Sequence, residues 1–142
     1  RAGMRPNTTL SPGMALRDGH PYMAFGTPGG DQQDQWTLAF FIRHAAMGMN
    51  LQEAIDAPSW HVEHYPSSFW PRTLKTNRLV IESRFPPDTL AKLSEAGHDV
   101  VTGGPWSEGR ISACTREPDG RGGLLLRAAA NPRGMQGYAV GR

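Results

Sequence analysis

The spacing of hydrophobic positions changes along the chain, and each change marks an element. Between residues 13 and 25, apolar residues flank Asp18-Gly19, with Met14-Ala15-Leu16-Arg17 before it and Tyr22-Met23-Ala24-Phe25 after it. Two short β-prone runs around Asp-Gly predict a hairpin with a two-residue turn. Thr27-Pro28-Gly29-Gly30-Asp31 then breaks the strand. Over residues 32–48 the period lengthens. Trp36, Ala39, Phe40, Arg43 and Met47 recur at spacings of three and four, and Phe41 and Ile42 widen the stripe. That pattern predicts an amphipathic helix with Asp31 as N-cap and Gly48 as C-cap.

A second short helix is predicted over residues 51–57, stopped by Pro58. Strands are predicted over 60–63, 79–82, 98–102, 110–116 and 124–130, and a helix opened by Pro87-Asp88 over 86–96. Pro118-Asp119-Gly120 reads as a turn between the last two strands. Residues 1–11 form a polar, extended lead-in, 64–77 an irregular stretch rich in aromatics and prolines, and the tail from Asn131 a loop. Hairpin, helices, strand, helix and strands in that order make an α+β pattern, fitting one side of a layered sheet-and-helix sandwich.

Composition sharpens this picture. A chain of 142 residues suits one domain, here residues 1–142. Yet only 38% of residues are hydrophobic, and 17 Gly and 12 Pro imply many turns and a core completed by another chain. No apolar run approaches the ~20 residues of a membrane span. The 15 basic residues are scattered and the net charge is +2, which argues against a nucleic-acid partner. The single cysteine, Cys114, excludes an internal disulfide and a cysteine metal site, and is expected as a small core residue.

Two segments offer chemistry. Pro28-Gly29-Gly30 lies between a strand and a helix. Its glycines let backbone N–H groups approach a ligand, and the following helix N-terminus adds partial positive charge. Such a place suits the oxyanion formed by attack on an amide carbonyl; it also suits a plain turn. Thr8-Thr9 with Ser11 can hold a carboxylate or carbonyl of a small substrate, or form a solvated turn. The histidines are less suggestive. His20 is expected to be exposed by the hairpin turn, and His44 lies off the apolar stripe of its helix. His61 and His64 are three apart, but in a proline-containing context that opposes a helix. With neither a His-Glu-x-x-His nor a Gly-x-Ser-x-Gly pattern, no metal or cofactor is expected and no serine nucleophile is indicated.

Taken together, Arg5-Pro6, Thr8-Thr9-Leu10, Ser11-Pro12, the Asp18-Gly19 hairpin and Pro28-Gly29-Gly30 resemble the gamma-glutamyltranspeptidase family in order and spacing. The resemblance continues through residues 47–58, Phe85-Pro86-Pro87-Asp88-Thr89-Leu90, Glu95-Ala96-Gly97-His98 and the ending from Asn131-Pro132-Arg133 to Gly141. It implies an αββα N-terminal-nucleophile hydrolase sandwich. It also implies a precursor that cuts itself, a Thr nucleophile at the new N-terminus whose α-amino group acts as base, and an acyl-enzyme resolved by water or an amine. By position, Gly29 and Gly30 correspond to the oxyanion-hole glycines. Thr8 and Thr9 correspond to paired serines that hold the α-carboxylate of a glutamyl group. The threonine methyls narrow that pocket, and Asp31-Gln32-Gln33 is closer to acylase- or amidohydrolase-like relatives. Phe69-Trp70-Pro71 has no assigned role.

The family's nucleophile stands well upstream of the Arg5-Pro6 motif. The chain is therefore expected to be the C-terminal portion of a small subunit, inactive alone. Its expected partners are the large subunit and the N-terminal part of the small subunit, with self-association an added outcome. Hydrolysis or transfer of γ-glutamyl groups from amides such as glutathione leads. An acylase or small-amide hydrolase, or a non-catalytic domain that has lost its nucleophile, are the alternatives. The compartment, bacterial cytoplasm or periplasm, stays open.

Overall fold

The computed structural model describes residues 2–5, 8–135 and 137–140. Pro6 and Asn7 of the first motif, and Gly141 of the C-terminal one, lie outside the described residues. The elements run β1 (Gly13–Arg17), β2 (His20–Gly26), α1 (Gln33–Ala45), α2 (Leu51–Asp56), β3 (Trp60–Val62) and β4 (Arg78–Glu82). There follow α3 (Pro87–Glu95), β5 (Asp99–Gly103), β6 (Ser112–Pro118), β7 (Leu124–Ala130) and a short 3-10 turn over Arg133–Met135.

The hairpin forms because Asp18 and Gly19 both take positive φ, 52° and 79°, the geometry of a type I′ turn. It seeds an antiparallel sheet in the order β1-β2-β6-β7. Strand alternation divides the side chains between two faces. Met23, Phe25, Ala113 and Ala129 meet Phe40 of α1 and Leu51, Ala54 and Ile55 of α2 in the core. Phe25 stacks on Phe41 and tilts against Phe40, with ring centroids 5.8 and 5.6 Å apart. In register with one another, Met14, Ala24, Cys114 and Ala128 lie on the opposite face.

α2 starts at a capping box. The Asn50 carboxamide accepts from Glu53 N–H, and the Glu53 carboxylate accepts from Asn50 N–H, each at 2.9 Å. The second sheet has the order β3-β4-β5, with β4 and β5 parallel and α3 making the crossover. Gln35 of α1 reaches its edge. The Gln35 side chain donates to the Val62 carbonyl at 3.0 Å and accepts from Val62 N–H at 2.8 Å, so one amide satisfies two edge groups of β3.

A buried charge cluster fastens the C-terminal tail to the second sheet. Glu82 is 0% exposed and accepts from Arg133 Nε at 2.8 Å, Arg84 Nη2 at 2.5 Å, Ser59 N–H at 3.1 Å and Glu108 N–H at 3.0 Å. Arg133 also donates to the carbonyls of Ile55 and Ala57 at the end of α2. Burial pushes the Glu82 carboxyl up, but the bonds from Arg133, Glu108 and Arg84 outweigh it and hold it below the usual carboxylate range.

Several expectations are corrected. α1 begins at Gln33, with Gln32 in the N-cap position and no side-chain cap. The Asp31 carboxylate accepts from Ser68 N–H at 2.7 Å instead, bound by the loop that precedes β4. The helix ends at Ala45, so Met47 lies past it and is exposed, and Gly48 takes φ 73° in the turn beyond the cap. β6 starts at Ser112 rather than Arg110, because Arg110 N–H donates to the Thr27 hydroxyl at 3.2 Å. Cys114 is exposed rather than core, since its strand position faces away from the helices. The tail is more than loop: Arg133 is buried with its ion-pair partner.

Candidate active site

The strand β2 ends at Gly26, and the chain turns over Thr27-Pro28 into the glycine pair. The Thr27 hydroxyl donates to the Pro28 carbonyl at 2.8 Å and accepts from Arg110 N–H, which ties the turn to the start of β6. Gly29 has φ 143°, a value L side chains rarely adopt, and a Cβ there would stand 2.9 Å from the Trp36 ring. Gly30 is limited differently: its φ is unremarkable, and a Cβ would meet the Phe69 ring at 2.9 Å. Among the described residues, neither glycine's N–H has a protein partner. Two free backbone donors beside the N-terminus of α1 make a place for a developing negative charge.

The structure brings one of the two predicted threonines to this loop. Thr9 is half-buried, and its hydroxyl accepts from Gln33 Nε2 at 3.5 Å. Thr8 is exposed, and its hydroxyl accepts from Leu10 N–H at 3.1 Å in a local turn. Gln33 is the residue that sequence reasoning passed over. It is 5% exposed, donates to the Gly29 carbonyl at 2.6 Å, and accepts from the Ser11 hydroxyl at 3.1 Å. One amide therefore joins the Thr9–Ser11 lead-in to the glycine turn. The only sequence signal was the unusual Asp31-Gln32-Gln33 after the glycines.

Behind the loop stands Trp36, with its ring edge-to-face against His61 at 5.9 Å between centroids. His61 is buried and its Nδ1 lies 2.5 Å from a Glu108 carboxylate oxygen. His61 Nε2 and Trp36 Nε1 have no partner among the described residues. In front of the loop stands Phe69, carried by the irregular 64–77 segment. Asp31 anchors that segment. Hydrogen bonds from Ser68, side chain and backbone, hold its carboxyl below the usual range against a small effect of burial. The remaining histidines sit apart from the glycine loop. His44 Nδ1–H donates to the Met49 carbonyl at 2.8 Å, which leaves Nε2 to accept from the Tyr22 hydroxyl at 2.6 Å. His64 accepts from Asn77 N–H at 3.1 Å, and His20 is exposed at the hairpin.

Comparison with known proteins places this geometry in context. A family model described as Gamma-glutamyltranspeptidase matches residues 1–141. An oxamate amidohydrolase proenzyme of Klebsiella pneumoniae is 38% identical over 98% of this chain and 25% of its own length. Of solved structures, one titled LmbA2991HD is 57% identical with a TM-score of 0.90, over 97% of this chain and 24% of that one. An acivicin-inhibited gamma-glutamyltranspeptidase is 25% identical with a TM-score of 0.75, over 94% of this chain and 65% of that one. The chain thus spans about a quarter of the length of the curated relative, which is a proenzyme.

Proposed function

The chain belongs to the gamma-glutamyltranspeptidase family, and from that premise we propose that it forms the oxyanion- and acyl-holding portion of an amide-hydrolysing site. The fold is an α+β part of an N-terminal-nucleophile hydrolase sandwich, as in the gamma-glutamyltranspeptidase structures. In the proposed reaction, an upstream Thr freed by self-cleavage attacks the amide carbonyl, and its own α-amino group takes the hydroxyl proton. The carbonyl oxygen becomes an oxyanion facing the N–H groups of Gly29 and Gly30. Collapse expels the amine, which leaves with that proton. Water or an acceptor amine then resolves the ester. Thr9, with Thr8, holds a carboxylate on the acyl group.

The observation that carries this reading is the Gln33 amide, which bonds to both the Gly29 carbonyl and the Thr9 hydroxyl. It sets the two proposed substrate-holding elements side by side. The acyl group proposed is a short acid. Threonine adds a methyl where serine has none, Gln33 beside Thr9 is buried, and the Klebsiella relative is named for oxamate. A γ-glutamyl acyl group is the competing reading, supported by relatives named glutathione hydrolase proenzymes.

The test uses the full-length precursor, with self-cleavage checked by gel. Ammonia release from oxamate is compared with anilide release from γ-glutamyl-p-nitroanilide. The proposal expects kcat/KM for the short amide to lead by about tenfold or more, the discrimination a small change of pocket supplies. A lead for the γ-glutamyl anilide moves the substrate to that class. A correctly processed protein that turns over neither, nor any other small amide, overturns the enzymatic reading.

A further inference from the structure

Gln33 does more than join two segments. We propose that it is a positioning residue, and that its carboxamide turns the Gly30 N–H and the Thr9 hydroxyl toward the same substrate space. The inference rests on the reading of Gly29 and Gly30 as oxyanion donors.

The argument begins with the peptide plane. In a trans peptide the carbonyl of one residue and the N–H of the next point in opposite directions. Gln33 Nε2 holds the Gly29 carbonyl at 2.6 Å, toward the buried side of α1. The Gly30 N–H must then point the other way, and among the described residues it has no partner there. Without that tether the peptide has little to fix it. Glycine on either side leaves both flanking torsions soft, so the plane can rotate and present a carbonyl where a donor is needed. A carbonyl facing an oxyanion repels it.

The second amide proton works on Thr9. A hydroxyl has one proton and two acceptor sites. By accepting from Gln33 at 3.5 Å, the Thr9 oxygen keeps its own proton free to donate outward, as a carboxylate requires. Ser11 completes the arrangement by donating to Gln33 Oε1 at 3.1 Å. The Gly29 carbonyl, which can only accept, fixes which end of the carboxamide carries the N–H bonds, and Ser11 donates to the oxygen that remains. Both polar atoms of a 5% exposed side chain are thereby used, in three hydrogen bonds, which sets the orientation of the amide.

The test compares two variants of the full-length protein. Gln33→Met keeps the size and loses every bond. Gln33→Glu keeps an acceptor for Ser11 but, when ionised, cannot donate to the Gly29 carbonyl or the Thr9 hydroxyl, and accepts the Thr9 proton instead. Both are expected to lower kcat by roughly a hundredfold, as removal of an oxyanion donor does. KM should rise for both and rise more for Gln33→Glu, whose carboxylate turns the Thr9 proton inward and repels a substrate carboxylate, than for Gln33→Met, which leaves that hydroxyl free to rotate. A residue that only supports the fold would lower melting temperature and leave this split absent. Crystal structures of both variants supply a readout independent of turnover. They are expected to show the Gly29–Gly30 peptide rotated, with the Gly29 carbonyl in the substrate space. A peptide that keeps its orientation in Gln33→Met overturns the proposal whatever the kinetics. If the parent protein hydrolyses no amide, the functional reading fails, and the peptide orientation still decides the role of Gln33.

Discussion

At the scale of single residues, the two glycines turn out to be different. The sequence marks both, because a Gly pair between strand and helix is a visible signal. Which of them needs to be glycine is legible only in three dimensions. Gly29 requires it twice over, through φ 143° and through the Trp36 ring. Gly30 has an unremarkable φ, and a Cβ there would meet the exposed ring of Phe69, the far end of a side chain that can move aside. Gly29→Val should therefore lower kcat by roughly a hundredfold or more, while Gly30→Ala should shift Phe69 and cost much less. Thr9→Val should act on binding, raising KM with kcat largely kept, because it removes a hydroxyl and keeps the shape. Steady-state kinetics on the self-processed protein separate the three, and equal losses for both glycine variants would refute the distinction. The contacts of Gln33 are not legible, although Asp31-Gln32-Gln33 stands out after the glycines. Its partners Thr9 and Ser11 lie 24 and 22 positions away, and no periodicity records a contact of that kind.

At the scale of elements, the sequence was most readable where local chemistry decides. Asp18-Gly19 fixed the hairpin, Pro87 opened α3, and β7 falls on the predicted residues. Boundaries moved where a long-range bond competed with local propensity, as when Ser68 took the Asp31 carboxylate from the end of α1. The tail departs from a plain loop for the same reason, since Arg133 is held by Glu82, 51 positions earlier. That pair carries two predictions for the full-length protein. Arg133→Met removes one of two arginines from a fully buried carboxylate, leaving Arg84 and two backbone N–H groups, so the cost should lie below the roughly 3–5 kcal/mol of a buried charge left without a partner. Chemical denaturation should show the loss, and an unchanged midpoint would count against the cluster as a fastening. The acid response follows from the sign of the Glu82 shift. Its carboxyl is depressed in the folded state, so its stabilisation is complete above the ordinary carboxylate value of about 4.3 and is lost as pH falls below that. Melting temperature should drop steeply from about pH 5 downward. Glu82→Gln should be less stable at neutral pH and show a shallower acid slope, because that site no longer gains a proton on unfolding.

At the scale of the whole molecule, the low hydrophobic content already implied a core finished by other chain, and the sheet shows where. α1 and α2 cover one face of β1-β2-β6-β7, whereas Met14, Ala24, Cys114, Leu126 and Ala128 line a shared concavity on the other. Met14 and Leu126 are each 70% exposed, too much apolar surface on one sheet face for a chain working alone. A layered sandwich supplies a second sheet to such a face, and the Klebsiella relative, of which this chain spans 25%, has room for one. The outer side of α1 adds exposed Leu38 and Ile42. The isolated 142-residue chain should therefore self-associate and bind apolar dyes, and it should not hydrolyse γ-glutamyl anilides or oxamate, because the proposed nucleophile stands upstream. Leu126→Glu discriminates between a face that merely sticks and one that docks on the precursor. In the isolated chain it should reduce self-association, read by light scattering at matched concentration. In the full-length protein the same change buries a charge between sheets, so folding and self-cleavage should fail. A full-length Leu126→Glu protein that folds, cleaves itself and turns over normally would show that this face is solvent-exposed in the working enzyme, and that the second sheet packs elsewhere.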